Sequence, residues 1–372
     1  MNKKEITEIK RQFTPEHCTI TRICGCYVDA GKEKRTQFKD AFFSLPEEDA
    51  FKYFDIFKKT LSGTIGRNLM TMEFPLNTEI EGGTQEFLLR LRQSYLKDDS
   101  LLEEFYDRVI EAWEYPENYL ILLVHGAYDI PGRTSDDAEM FDASDEVYEY
   151  LLCSICPVKL SKPGLSYDAE GNCFQNRIRD WIVEMPQVGF LFPAFHDRST
   201  DLHSALYYSR NAADLHDEFA DILLGCKAPL PAAGQKEAFQ ALVEDTLGAD
   251  CGYETVMTIH EKLNEMIEEH RDDPEPVALG QGEVKQLFFE SGVPEERLEA
   301  FEEQYQEKAG EDAVLMAANI VNARKFEVKT PDVIITVNPE KDQLIETRMI
   351  EGRRCLVIGI DEDVEINGIH AK

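Results

Sequence analysis

The densest run of residues able to do chemistry is Phe195-His196-Asp197-Arg198-Ser199-Thr200-Asp201-Leu202-His203, followed by Asp214, His216 and Asp217. Imidazoles and carboxylates in this mixture can hold a divalent cation or pair as a general base. They outline one candidate activity, a metal-dependent hydrolase using His196, His203 and Asp214. The spacing matches no zincin or two-metal signature. His216 and Asp217 are neighbours on an expected helix, so their side chains diverge by about 100°. Solvated polar loop residues account for the set more simply. Cys24-Gly25-Cys26 and Cys153-Ser154-Ile155-Cys156 together have the thiolate count of a structural zinc site. Both groups lie in strand-patterned runs, where residues three apart point to opposite faces. Cys153 and Cys156 are therefore expected to diverge and to act as small core hydrophobes. His17 and Cys18 adjoin in sequence, whereas catalytic pairs are assembled in space. There is no Gly-x-Ser-x-Gly elbow and no Gly-x-Gly-x-x-Gly after a strand. Leu61–Asn68 lacks the Gly-Lys-Ser/Thr ending of a phosphate loop and follows a helix, so it reads as a cap and turn. No cofactor is implied.

Charge offers a different chemistry. The chain of 372 residues carries 39 Lys+Arg against 72 Asp+Glu, a net of -33. Residues 1–70 hold 13 bases and 10 acids, so the acidity belongs to the remainder. Lys32, Lys34, Arg35 and Lys39 cluster around one expected turn. Lys58, Lys59 and Arg67 lie at the end of an aromatic helix. If the two groups meet, they form a cationic face suited to phosphate, with DNA as the expected partner. The simpler account is ordinary surface lysine. Between Glu268 and Asp312 there are 15 acids and 4 bases. Such a run reads as a solvated helix face and leaves open a third role, an acidic scaffold for a basic protein partner.

These residues must be positioned by a mixed α+β, α/β chain. Residues 3–12 read as a helix, 19–28 as a strand, and Gly31–Arg35 as a basic turn. A helix beginning at Ser44-Leu45-Pro46-Glu47-Glu48 carries Phe51, Phe54, Phe57 and Leu61 as an apolar stripe. Thr84–Leu96 and Ser100–Trp113 are amphipathic helices. Asn118–Ile130, Glu146–Lys159 and Val188–Phe195 are strands, and Leu165–Phe174 is a hairpin about Asp168-Ala169-Glu170-Gly171-Asn172. Ala212–Leu224, Gln235–Leu247 and Tyr253–His270 are helices. Asp272-Asp273-Pro274-Glu275-Pro276 reads as a linker. Gly282–Ser291 and Glu295–Lys308 are helical. The end turns to β, with turns at Glu351-Gly352 and Asn367-Gly368. The expected division is an N-terminal α/β domain at 1–205, a helical segment at 206–275, and acidic helices with a small C-terminal β module at 276–372.

No apolar run reaches membrane-spanning length; the longest, Tyr119–Val124, is strand-sized. Met1-Asn2-Lys3-Lys4-Glu5 has no apolar stretch behind its lysines, so no signal peptide is expected. Nine cysteines, an odd number, fit a reducing compartment. The expectation is a cytoplasmic chain without a membrane partner.

Met1–Arg11, Cys18–Tyr27, Phe51–Gly63 and Val364–Ile369 resemble an uncharacterised bacterial domain-of-unknown-function family over the full chain. That resemblance implies no activity. The order of elements also resembles the nucleoid-associated family of about 37 kDa. Its carriers are the strand Asn118–Tyr128 with internal His125, the strand Tyr148–Ile155, the helix Asp214–Gly225 and the acidic helices beyond. This second resemblance implies a non-enzymatic protein associated with the nucleoid or a nucleic-acid complex.

Overall fold

The computed structural model describes residues 1–371 except 134–138, 141–145, 249–251, 322–325, 338–344, 360–363 and 367–368. Tyr119–Asp129 and Val147–Leu160 are long and almost continuously apolar, and such strands demand cover on both faces. They form the centre of an antiparallel sheet. Its strands are β1 (Ile20–Val28), β2 (Lys34–Ala41), β3 (Leu69–Glu73), β4 (Tyr119–Asp129), β5 (Val147–Leu160), β6 (Val188–Phe192) and β7 (Ser204–Ser209), in the order β2-β1-β4-β5-β6-β7-β3. Trp181–Val183 adds a short piece at the end of β5. One face buries Cys24, Cys26, Leu123, Cys153, Phe190 and Tyr207 against α3 (Thr84–Gln93), α4 (Asp99–Ala112) and α5 (Asp217–Leu224). The other buries Ile23, Leu122, Val124, Leu152, Cys156 and Leu206 against α1 (Lys3–Arg11) and α2 (Glu47–Thr60). The mixed α+β expectation is realised here as helices on both sides of one sheet.

Local chemistry explains the helix ends. Asn2 caps α1 in a reciprocal box with Glu5. Asp98 caps α4 by accepting from the backbone of Ser100 and Leu101. On α2, Phe54, Phe57 and Leu61 are buried as the stripe requires, but Phe51 is 48% exposed. Six residues at 100° each set Phe51 about 120° away from Phe57, off the buried stripe. Ile56 is buried in its place. β2 was expected only as a turn. Gly25 makes its pairing with β1 possible, because a Cβ there would lie 2.2 Å from the Phe38 ring.

The chain divides into two compact units, Met1–Pro231 and Ala232–Lys372, where boundaries at 205 and 275 are expected from the sequence. The reason is packing. α5 completes the sheet's core through Phe219, Ala220 and Leu223. α6 (Ala232–Leu247) and α7 (Tyr253–Glu269) instead share a core with α8 (Gln281–Glu290) and α9 (Phe301–Lys308), around Phe239, Leu242, Leu263, Phe288 and Phe301. Asp272–Pro276 is thus a connection inside the second unit. That unit ends in hairpins, among them Ile345–Ile350 with Arg353–Ile358. Glu351 and Gly352 both have positive φ, as a two-residue hairpin turn needs. The expected Asn367-Gly368 turn lies outside the described residues. Among the described residues, no helix is long and apolar enough to cross a membrane.

Candidate functional site

The expected basic patch separates into two parts with different electrostatics. Around β2 the cations already have partners. A bulge between Tyr27 and Val28 sets Lys34 opposite Val28, Gln37 opposite Cys26 and Lys39 opposite Cys24. All three therefore share the sheet face covered by α4, where Asp99, Glu103 and Asp107 recur every four residues. Lys34 Nζ lies 2.6 Å from both Glu103 Oε2 and Asp107 Oδ1. Gln37 Nε2 donates to Glu103 Oε1 at 2.7 Å, and Lys39 pairs with Asp99. Arg35 pairs with Asp29 beside the turn. Partial burial works against the Lys34 charge, but Asp107 and Glu103 overcome it and raise its pKa. Lys32 sits exposed on the turn with φ 63. This half of the patch is spent on holding β2 to α4.

The other half is different. Lys58 and Lys59 occupy the last turn of α2, where positive charge complements the helix dipole. Lys10, in the last turn of α1, comes against them. Its pKa is lowered by burial first and then by the charges of Lys58 and Lys59. Lys10 Nζ donates to Ser62 Oγ, and Ser62 Oγ donates to the Lys58 carbonyl. The following loop reverses through Gly63 and Gly66, both at positive φ, and carries Arg67. Asn68 Nδ2 donates to the carbonyls of Ser209 and Arg210 at 3.1 and 3.2 Å, tying the loop to the end of β7. Among the described residues, no carboxylate forms an ion pair with Lys10, Lys58, Lys59 or Arg67. Like charges gathered this way destabilise one another, and an anion relieves that cost. Sequence reading missed Lys10 and Ser62. The available signal was their placement at two helix ends, which only the packing of α1 against α2 unites.

The His/Asp set is dispersed. His196 lies 3.9 Å from Glu5 and 3.7 Å from Asp197. His203 Nδ1 is 2.8 Å from Glu79 Oε1. Asp214 neighbours His216 at 3.5 Å, and the His216 ring packs edge-on against Trp113. His203 precedes β7 and Asp214 follows it, and six extended residues span about 20 Å. The expected grouping of His196, His203 and Asp214 is therefore not formed. Among the described residues, no three His, Cys, Asp or Glu side chains converge as metal ligands.

The cysteines diverge as strand geometry requires, with Cys153 on the α4 face and Cys156 on the opposite one. Burial pushes the Cys24 thiol up to about 12 and the Cys26 thiol to about 11, so neither supplies a thiolate at neutral pH. His125 is fully buried on β4, its Nδ1 2.8 Å from Thr21 Oγ1 and its ring 5.0 Å from Tyr95. Burial holds its pKa down at about 4, so the imidazole is neutral.

Comparison with curated proteins gave no match, and comparison with solved structures gave none. The resemblance to the 37 kDa nucleoid-associated family is not shown by these comparisons. A family model described as a domain of unknown function matches residues 1–369. The chain belongs to that family, Domain of unknown function (DUF4317).

Proposed function

We propose that this chain is a non-catalytic cytoplasmic binding protein that meets nucleic-acid phosphate through Lys10, Lys58, Lys59 and Arg67. The observation that carries this reading is the convergence of three lysines, on a protein of net charge -33, without an ion-paired carboxylate among the described residues. Lysines are point-charge phosphate ligands. The strongly acidic remainder repels the rest of a polyanion and confines contact to this end. Lys34, Arg35 and Lys39 are not part of the proposed surface, because α4 and Asp29 neutralise them. A hydrolase reading has no support in the dispersed His196, His203 and Asp214.

The test is binding of the full chain to duplex and single-stranded DNA across a salt series. Salt-sensitive binding that is lost when Lys10, Lys58 and Lys59 are changed to Gln supports the proposal. Absence of binding at low salt overturns it.

A further inference from the structure

Residues 160–187, between β5 and β6, build an arm that the sheet does not need. Leu165–Asp168 pairs with Cys173–Asn176, with Leu165 opposite Asn176 and Tyr167 opposite Phe174. Strand alternation then puts Leu165, Tyr167 and Phe174 on one face, and Ser166, Asp168, Cys173 and Gln175 on the other. The hairpin is amphipathic, and its apolar face is open: Phe174 is 73% exposed, and nearby Ile178 and Trp181 are 80% and 58% exposed. The Tyr167 and Phe174 rings contact each other at 5.5 Å.

The arm is also anchored. Arg179 Nε donates to the Ser161 carbonyl at 2.7 Å, and the Asp180 backbone N–H donates to Ser161 Oγ at 3.1 Å. Arg177 N–H donates to the Gly164 carbonyl at 2.9 Å, and Trp181–Val183 pairs with Val158–Leu160. An apolar face held in place by its own hydrogen bonds is prepared for a partner and loses little entropy on meeting one.

We propose that the apolar face of this arm is the contact through which the chain self-associates, the occupant being the same face of a second copy. Two observations select a second copy. First, residues 159–187 hold four bases and four acids, a net of zero on a chain of -33. Two such chains repel over most of their surfaces and meet most cheaply where the charge is balanced. A basic partner, by contrast, is drawn to the acidic surface elsewhere. Second, the arm exposes eight large apolar side chains between Leu165 and Met185. Aromatic side chains bury about 150–250 Å² each, so Tyr167, Phe174 and Trp181 with the aliphatic side chains beside them offer several hundred square ångströms, approaching the roughly 800 Å² per partner of a standard interface. A two-fold arrangement lets the face satisfy itself. This inference is independent of the lysine cluster.

The test is sedimentation of the full chain from about 0.1 to 100 μM. The wild type is expected to be a dimer of 42.5 kDa chains. Phe174→Glu, or Trp181→Glu, is expected to raise the dimer dissociation constant on the order of 1000-fold, because a two-fold interface carries each substitution twice. Ser166→Glu, on the opposite face, should leave the dimer intact. Both altered aromatics are exposed in the single chain, so each variant should keep the wild-type far-ultraviolet circular dichroism spectrum, which separates loss of the dimer from loss of the fold. A wild-type monomer at 100 μM overturns the proposal. A dimer that survives both Glu substitutions places the interface elsewhere and also overturns it.

Discussion

Neutralising each half of the basic front separately should give opposite results. In one variant Lys10, Lys58, Lys59 and Arg67 become Gln; in the other Lys34, Arg35 and Lys39 do. Among the described residues the first set has no ion-paired acid, whereas the second is engaged by Glu103, Asp107, Asp29 and Asp99. Four cations meeting four phosphates of duplex DNA give a slope of about -3.6 in log affinity against log salt. Between 50 and 200 mM salt that corresponds to about a 150-fold loss of affinity, and to about 50-fold for a single strand, whose slope per contact is smaller. Fluorescence anisotropy with a labelled 20-mer reads both values. The first variant should lose the salt-dependent binding, and the second should keep a slope within about one unit of the wild type. If the β2 variant loses the slope while the Lys10 variant retains it, the assignment of free and engaged cations is wrong.

Three further outcomes are expected. His125 has a folded pKa of about 4 against 6.5 for the free side chain, so the unfolded chain binds the extra proton between those values. Its stability contribution is therefore present above pH 6.5 and is lost as pH falls toward 4, by about 3 kcal/mol. Urea titrations at pH 7, 5.5 and 4.5 should show a shallower decline for His125→Gln than for the wild type. Gly189→Ala would place a Cβ 2.3 Å from the Cys153 carbonyl oxygen and 2.7 Å from Thr60 Cγ2. Because the nearer atom is backbone, the expected cost is about 3 kcal/mol, read as a lowered denaturation midpoint. Of the described cysteines, exposed Cys173 should react first with a thiol reagent, while Cys24, Cys26, Cys153 and Cys156 should wait for unfolding. Peptide mapping after brief labelling checks the order.

What the sequence disclosed follows burial. β1, β4, β5 and β6 were readable because a strand covered on both faces must be apolar. β2 was not, since Lys34-Arg35-Thr36-Gln37-Phe38-Lys39-Asp40-Ala41 is an edge strand whose inward neighbours are charged. β3 and β7 are short, and their apolar residues do not stand out from the surrounding loops. The opposite facing of Cys153 and Cys156 followed from the two-residue period alone. The departure of Phe51 follows from the helical angle, which counting at three-to-four spacing accumulates into error. Lys58, Lys59 and Arg67 were visible as charges. Their distinction from Lys34, Arg35 and Lys39 was not, because it depends on where α4 and α1 pack. The boundary near 231 was hidden because α5 and α6 are similar amphipathic helices that serve different cores.

The bulge between Tyr27 and Val28 has a consequence for how the chain finds its register. A slip of one residue in β2 turns every one of its side chains over. Phe38 would then leave the α2 side, and Lys34, Gln37 and Lys39 would turn toward it. On α4, Asp99, Glu103 and Asp107 would remain, three like charges at four-residue spacing with nothing to oppose them. The wrong alignment is thus penalised on both faces at once. An edge strand with little apolar pattern of its own is read into place by a neighbouring helix, and its lysines discourage a second chain from adding to the same edge.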